Sequence, residues 1–500
     1  MSIVCRPSPP PRAGEVLLVN PRYARNPCSS VMRHALAPAL GLPLVAAASP
    51  PTWQVRFHDE NLGGDAPGAP VPEVVGITVH TAFAARAYAL ADRYRAAGAR
   101  VVLGGLHVTA LPDEARPHAD VVVVGDGVGV WPQVLDGLRR GDFEPGAVVE
   151  GSFVRPHYAD APWPRRDILP AGAFLTRAAV IATRGCTQRC GFCYLATRGL
   201  RCPYQQRRVA DVLAEIDACG EPFVVFTDNN LMADPDYGHE LCRALAPRGL
   251  LWTAALTIDV ARHPDLVAAM AAAGCQGVFI GLETLQGGNL RAQRKRTLPP
   301  AAYAEAIALL HAHHIEVNGS FVFGFDDDES DVFDRTVDFV VAQRLECATF
   351  HILTPYPGTP LYAQLEADGR LLTRDWSRYD TAHAVFQPAH MTPHALEAGY
   401  RRAYRRLYSW GSVLRRRPLA AGPVASVLRG AAYLAMTALY KKWDFVWRAL
   451  VPLRLTHAAW QPLVRLHRAI RPGAVANSRA TLASQAAATA PGGADLARAA

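Results

Sequence analysis

Ala179-Val180-Ile181-Ala182-Thr183-Arg184-Gly185-Cys186-Thr187-Gln188-Arg189-Cys190-Gly191-Phe192-Cys193-Tyr194 is the stretch on which the reading of this chain turns. An apolar run of strand character feeds directly into a loop with three cysteines in the spacing Cys-x3-Cys-x2-Cys. Three thiolates within eight residues reach three corners of one iron-sulfur cubane and leave the fourth iron open. Gly185 and Gly191 let the loop bend around it. The competing reading is a zinc site completed by a distant ligand, but zinc sites usually pair two Cys-x2-Cys units and the sequence has no second pair. Cys186, Cys190 and Cys193 are therefore expected to hold a [4Fe-4S] cluster.

Toward the C-terminus the strand-then-helix rhythm continues. Phe223-Val-Val-Phe-Thr-Asp, Leu251-Trp-Thr-Ala-Ala-Leu, Gly277-Val-Phe-Ile-Gly-Leu-Glu, Glu316-Val-Asn-Gly-Ser-Phe-Val-Phe-Gly and Cys347-Ala-Thr-Phe-His-Ile-Leu-Thr read as strands. Helical stretches at Val209 to Ala218, Pro264 to Ala273, Ala301 to His311 and Ser330 to Gln343 separate them. Six β/α repeats fall short of the eight of a full barrel, so a partial (β/α)6 TIM-type barrel is expected over residues 176–375. Upstream, a second series of five strands (from Glu15, Trp53, Val74, Arg100 and Asp120) alternates with helices at Ala82 to Ala97 and Gly129 to Arg140. That pattern predicts an α/β, doubly wound, Rossmann-like domain over 13–145, with ligands at the carboxyl ends of its strands. Pro-rich sequence marks a linker at 146–175, residues 376–471 read as helical and basic, and 472–500 as a disordered tail.

The 500 residues are 50% hydrophobic and 19% charged, which excludes wholesale disorder. The longest run without a polar side chain, Ala35 to Ala48, is 14 residues with Pro38 and Pro43 inside, short of the roughly 20 that a membrane-spanning helix needs. The N-terminus has no signal-peptide apolar core, so a cytoplasmic location is expected, and with it a reducing milieu in which clustered cysteines hold metal or do chemistry. The net charge of +8 is uneven: Arg401 to Arg471 carries 15 Arg plus Lys against Asp444 alone, a local +14 that leaves about −6 elsewhere. Interleaved with Trp443, Phe445, Trp447 and Trp460, this region suits either peripheral contact with an anionic membrane at its inner face or helices that cap the open barrel with Arg exposed. Nucleic acid is not expected, since no recognition motif accompanies the charge.

At the cysteine triplet the chain resembles the radical S-adenosylmethionine (SAM) superfamily, over roughly Ala178 to Leu371. The resemblance implies a [4Fe-4S] cluster whose open iron chelates SAM, with Phe192 matching a position that contacts the adenine. Phe279-Ile-Gly-Leu-Glu-Thr, Val317-Asn-Gly-Ser-Phe-Val-Phe-Gly-Phe and Thr354-Pro-Tyr-Pro-Gly-Thr-Pro-Leu-Tyr look like the family's later strand motifs, which brings Gly281, Glu283, Ser320 and Gly324 forward as SAM contacts. Asp228 belongs either to the second-strand motif or to a helix cap. Cys202, Cys219, Cys242, Cys275 and Cys347 fall on helices or strands without ligand spacing and are expected to be buried structural thiols.

Gly104-Gly105-Leu106-His107 and Gly125-Asp126-Gly127 follow two strands of the first series and let backbone approach a large ligand at one sheet edge. From Val16 to Trp131 this resembles the cobalamin-binding domain of class B radical SAM enzymes, with Thr78, Gly104, Gly105, His107, Gly125, Asp126 and Gly127 as implied contacts. One departure stands out. Where that fold often carries Asp-x-His-x-x-Gly, this chain has Asp59-Glu60-Asn61-Leu62-Gly63-Gly64, so Asn61 replaces the lower-face cobalt ligand and Gly64 closes the motif. His58 and His107 are the nearest imidazoles, expected more as ordinary polar loop residues than as ligands. Trp376-Ser-Arg-Tyr-Asp and Phe386-Gln-Pro-Ala-His-Met-Thr-Pro resemble the extension of the hopanoid methylase-like branch. Together these imply a cobalamin-dependent radical SAM C-methyltransferase that acts on an unactivated carbon of an apolar, lipid-like small molecule, fed by a reducing electron donor of the flavodoxin or ferredoxin type. The alternatives are a cyclase or oxidoreductase of tetrapyrrole type that uses the same cofactors without net methylation, and a non-enzymatic cobalamin-responsive binding protein. A methylthiotransferase would need another cysteine triplet, and only Cys5 and Cys28 lie in the first segment.

Overall fold

The computed structural model describes residues 14–23, 37–152, 162–170, 172–197, 199–417, 430 and 433. The first series forms one all-parallel sheet of β1 (Gly14–Asn20), β2 (Trp53–Asp59), β3 (Val74–Thr78), β4 (Arg100–Gly104), β5 (Val121–Gly125) and β6 (Ala147–Gly151), in the order β2-β1-β3-β4-β5-β6. Its Val- and Leu-rich strands are apolar on both faces because helices cover both. Leu17, Val19, Val75 and Ile77 pack with helix Ala84–Ala96, whereas Val16, Leu18, Val102 and Val123 pack with Trp131, Val134 and Leu135 of helix Gly127–Arg140. Strand β6 lies within the stretch expected as linker. It is an edge strand, half exposed along its length, and so lacks the continuous apolar run that marks the other five.

The second series forms another parallel sheet from β7 (Ala179–Val180), β10 (Phe223–Phe226), β11 (Leu251–Leu256), β12 (Cys275–Glu283), β13 (Glu316–Phe323) and β14 (Cys347–Ile352), with a small antiparallel pair, β8 (Thr183–Arg184) and β9 (Gln205–Gln206), beside it. The order β14-β13-β12-β11-β10-β7 follows the chain strand by strand, as a (β/α)6 partial barrel requires. Helix Pro235–Leu245, between β10 and β11, adds to the expected helices and starts on a local signal: Asp234 caps the Asp236 and Tyr237 N–H groups, and Pro235 occupies the first turn.

The two sheets meet at their carboxyl edges. His80, just past β3, contacts the Tyr356 ring beyond β14 at 5.6 Å, and Arg184 at the end of β8 pairs with Asp126 just past β5 at 2.9 Å. The loops where a doubly wound sheet and a barrel each place ligands are therefore brought face to face.

An open barrel exposes the edge of β14, and the basic region covers it. Helix Pro393–Leu407 buries Leu396, Tyr400, Ala403 and Leu407, and its tyrosine hydroxyls take the place of a neighbouring strand. Tyr404 Oη accepts from Phe350 N–H (2.9 Å) and donates to Phe350 O (3.1 Å), while Tyr408 Oη does the same for Ala348 N–H (3.3 Å) and O (2.7 Å). Arg416 is fully buried and donates to the carbonyls of Leu345, Glu346 and Leu407. Outside, Arg406 pairs with Asp334 and Asp338. Over 393–416 the basic sequence is a barrel cap. Membrane contact is the alternative for Tyr400 to Trp410 and Tyr433 to Leu466; the first lies in this cap, and of the second all but Tyr433 lies outside the described residues. No helix among the described residues is long and apolar enough to cross a membrane.

Replacing Tyr408 by Phe leaves a buried N–H and C=O of Ala348 unpaired. The variant is expected to lose roughly 1–3 kcal/mol in urea unfolding without a change in the denaturant slope.

Candidate functional site: the cysteine loop between two sheet edges

The loop that carries the triplet has no ladder of its own, so neighbouring elements hold it. Its entry is fixed by Asp228, past the end of β10, whose buried carboxylate accepts from the N–H groups of Ala182 (3.3 Å) and Thr183 and from the Thr183 hydroxyl (2.7 Å). Asp228 does not cap a helix; it clamps the strand-to-loop corner, and burial pushes its carboxyl up to about 6. Gly185, at φ +77°, follows. A Cβ there would meet the Cys202 carbonyl oxygen at 2.4 Å. The far side of the loop is gripped by residues 293–296: Gly191 N–H donates to Gln293 O (2.8 Å), and Gln188 exchanges two hydrogen bonds with the Arg296 backbone (2.6 and 2.9 Å). Leu361 N–H, past β14, donates to Gly191 O at 3.1 Å.

Between these clamps the three thiols are largely buried, and among the described residues no three His, Cys, Asp or Glu side chains converge on a single ion. Burial pushes Cys186 up, Cys190 up to about 12 and Cys193 up to about 11, opposed by the nearby Lys295 ammonium. Lys295 is itself buried, 5% exposed at its side chain, and its Nζ donates to Glu283 Oε1 and to Gly281 O, each at 2.6 Å. Glu283 lies at φ +63°, where β12 shifts register against β13. That left-handed conformation is costly for a residue with a Cβ, and the ion pair with Lys295 holds it. The sequence offered one cue to this partner, since Lys295 is the single lysine before residue 441 in a chain of arginines. Ser320, 5% exposed, pairs in register with Gly281. Phe192 packs edge-on against Phe325 at 6.0 Å, next to Gly324, whose N–H donates to Asp328.

On the facing edge, the residues expected at a cobalamin separate into two kinds. Thr78, Gly104, Gly105, Gly125 and Gly127 lie at strand ends or at the helix start beyond β5. Asn61, Asp126 and His107 are already engaged. The Asn61 amide accepts from Tyr23 N–H (2.9 Å) and donates to Pro21 O (3.2 Å) and Asp59 Oδ1 (2.8 Å), which ties the exits of β1 and β2 together. Gly64, at φ +79°, offers its carbonyl to His58 Nε2 at 2.9 Å. The Asp126 carboxylate accepts from Val128 N–H and pairs with Arg184, two residues before Cys186. His107 is fully buried rather than a polar loop residue. Its Nε2 lies 3.1 Å from Glu114, which also accepts from the Trp376 indole at 3.0 Å, and burial lowers its pKa. It joins the segment after the barrel to the first sheet. Cys242, Cys275 and Cys347 are buried as expected. Cys219 is only partly so, and Cys202 is buried in a loop rather than on a helix or strand, held against Pro203 O and Gln205.

Replacing Lys295 by Met strands the Glu283 carboxylate. A loss of roughly 3–5 kcal/mol is expected in urea unfolding, most of it restored in the Glu283→Gln/Lys295→Met double variant. The raised thiols give a second test. With protonation favoured by burial, Cys190 and Cys193 of the metal-free protein should alkylate with iodoacetamide at pH 8 roughly a hundredfold more slowly than unfolded controls, with rates that climb further as pH rises.

A protein-family model described as the radical SAM superfamily matches residues 180–340. The chain is 30% identical over 410 residues to bacteriochlorophyllide d C-12(1)-methyltransferase of Chlorobaculum tepidum, with 80% of this chain and 88% of that relative covered. It is 25% identical over 389 residues to the hopanoid C-2 methylase of Rhodopseudomonas palustris, covering 72% and 71%. Among solved structures it shares its fold with the radical SAM methyltransferase TsrM of Kitasatospora setae, solved with cobalamin and a [4Fe-4S] cluster, at TM-score 0.58 and 17% identity over 91% of this chain and all of that one. A relative at this identity and coverage, joined to a clamped loop that presents three partly buried thiols, places the chain in the cobalamin-dependent radical SAM methyltransferase family.

Proposed function

We propose that this enzyme transfers a methyl group to an unactivated carbon of a large apolar ring system, of the tetrapyrrole or polycyclic lipid kind, held on the inner face of the open barrel. The observation that carries this reading is the character of that face. Strands β12 and β13 turn Val278, Ile280, Val317, Phe321 and Phe323 toward the helices, so Gly277, Phe279 and Gly281 face inward beside Asn318 and Ser320. Phe279 is 38% exposed although strands flank it on both sides. An aromatic face left open at mid-sheet is a platform for a flat apolar partner. Beside it, Asn318 Oδ1 and Thr349 Oγ1 are buried without a hydrogen-bond partner, which suits a ligand with a few polar substituents.

The residues present fit the family's cofactors. Cys186, Cys190 and Cys193, in the spacing Cys-x3-Cys-x2-Cys on one clamped loop, would hold the cluster. Phe192, Gly281, Glu283, Ser320 and Gly324 cluster at the strand ends where SAM would lie. Thr78, Gly104, Gly105, Gly125 and Gly127 mark the opposing edge for cobalamin, with Asn61, Gly64, His107 and Asp126 supporting that edge from behind. When bound, the cluster and SAM supply a hydrogen-abstracting carbon radical and cobalamin supplies the methyl group. The chain's own contribution is positional. Asp228 and the segment 293–296 fix the cysteine loop, the Lys295–Glu283 pair sets the local charge beside the thiols, and the Arg184–Asp126 pair holds one sheet edge to the other.

Turnover with methyl-deuterated SAM, against tetrapyrrole and lipid extracts, is expected to give a labelled product together with S-adenosylhomocysteine and 5′-deoxyadenosine. The Cys186→Ala/Cys190→Ala/Cys193→Ala variant should lose the visible cluster absorbance and all SAM cleavage, whereas Cys219→Ala should keep both. An unlabelled cyclised or oxidised product would overturn methyl transfer in favour of cyclase chemistry, and the absence of SAM cleavage in a cluster-loaded wild type would overturn both.

A further inference from the structure

Four exposed arginines lie on the cysteine loop or on the chain hydrogen-bonded to it. Arg189 lies within the triplet itself, Arg294 and Arg296 on the clamping segment 293–296, and Arg291 on helix Gly287–Ala292 just before it; all four residues are exposed. Among the described residues none of the four forms a salt bridge. Exposed arginines elsewhere in the barrel include paired ones, as in Arg208 with Asp211 and Arg262 with Asp259, and ones without a salt bridge among the described residues, as with Arg201, Arg243 and Arg344, so what sets these four apart is their position against the cysteine loop. The nearest carboxylates are committed or set to one side: Glu283 to Lys295, Asp259 to Arg262 and to Leu298 N–H, and Asp327 beside Gly288 at the start of helix Gly287–Ala292. Four exposed positive charges on neighbouring backbone, without a carboxylate paired to them, make this a basic surface.

Backbone hydrogen bonds fix the patch to the loop. The Gly191–Gln293 and Gln188–Arg296 contacts link the arginine-bearing segment to the residues between the cysteines, so a partner docked on the arginines would stand directly outside the cluster ligands. We infer that Arg189, Arg291, Arg294 and Arg296 form the docking surface for an acidic one-electron donor protein of the flavodoxin or ferredoxin class. This rests on the cluster assignment proposed above. In the encounter the donor gives up one electron and the cluster accepts it; no bond forms or breaks and no proton is required. Charge complementarity of this kind acts mainly on the association rate, and it is screened by salt.

The test follows cluster reduction by its loss of visible absorbance in the anaerobically reconstituted full-length protein. Reduced flavodoxin should reduce the wild-type cluster at a rate that falls by roughly tenfold between about 50 mM and about 300 mM salt. In Arg189→Glu/Arg294→Glu/Arg296→Glu the flavodoxin rate at low salt should fall at least roughly tenfold, while photoreduction by neutral deazaflavin is unchanged. A control with the same charge change on the barrel cap, Arg405→Glu/Arg415→Glu/Arg417→Glu, should behave as wild type. A wild-type rate that ignores salt, or a patch variant slowed no more than the cap variant, would overturn the docking surface. If the patch variant fails to take up its cluster, the wild-type salt series decides alone. A wild type that assembles no cluster would instead overturn the functional reading on which the proposal stands.

Discussion

Three thiols that must serve one cluster are carried on a loop too short to make secondary structure, so the geometry of the site has to be imposed from outside. The chain does this with buried hydrogen bonds to the loop backbone. Asp228 takes two N–H groups and a hydroxyl at the entry, Gln293 takes the Gly191 N–H, Gln188 is locked to Arg296, and Leu361 reaches Gly191 from beyond β14. These anchors come from four different parts of the sheet. A curved set of parallel strands brings its carboxyl ends to one side, and the open barrel supplies that convergence.

The same constraint explains why two sheets are fused rather than tethered. Asp126 is the cap of helix Gly127–Arg140 and also the partner of Arg184, so the start of the cysteine loop and the carboxyl edge of the first sheet share one carboxylate. The pair is mostly buried, at 19% and 3% side-chain exposure, and breaking it would strand a charge at the interface. His107, Glu114 and Trp376 repeat the arrangement on the other side, with one carboxylate received by both domains. These pairs act alongside an apolar cluster in which Leu40, Leu44 and Val128 of the first domain pack with Ala179 of the barrel.

Charge is divided between structure and surface in a way that composition hides. Within 401–416, Arg402 and Arg406 pair with Asp334 or Asp338, Arg401 pairs with Glu397 and Arg416 enters carbonyl contacts, and so these serve the cap on β14, while Arg405 and Arg415 stay at the surface. Those around the cysteine loop are left unpaired. A total of +8 cannot distinguish the two, because pairing is a property of the fold.

By itself the sequence determined whatever rests on neighbouring residues: the cysteine spacing, the strand-and-helix alternation that yields two parallel sheets, and the absence of an imidazole where Asn61 stands. Local periodicity and spacing encode these, since a strand or a short chelating loop is specified within its own few residues. It missed β6 because a half-exposed edge strand carries no continuous apolar run, and it treated His107 as a loop residue because burial depends on what arrives from elsewhere. Tertiary structure alone decided that Asp126 meets Arg184 across 58 residues, that Glu114 meets Trp376 across 262, and that the basic helix closes a sheet edge. Such contacts join groups whose separation along the chain carries no period, so their energy is realised only once the packed sheets bring them together.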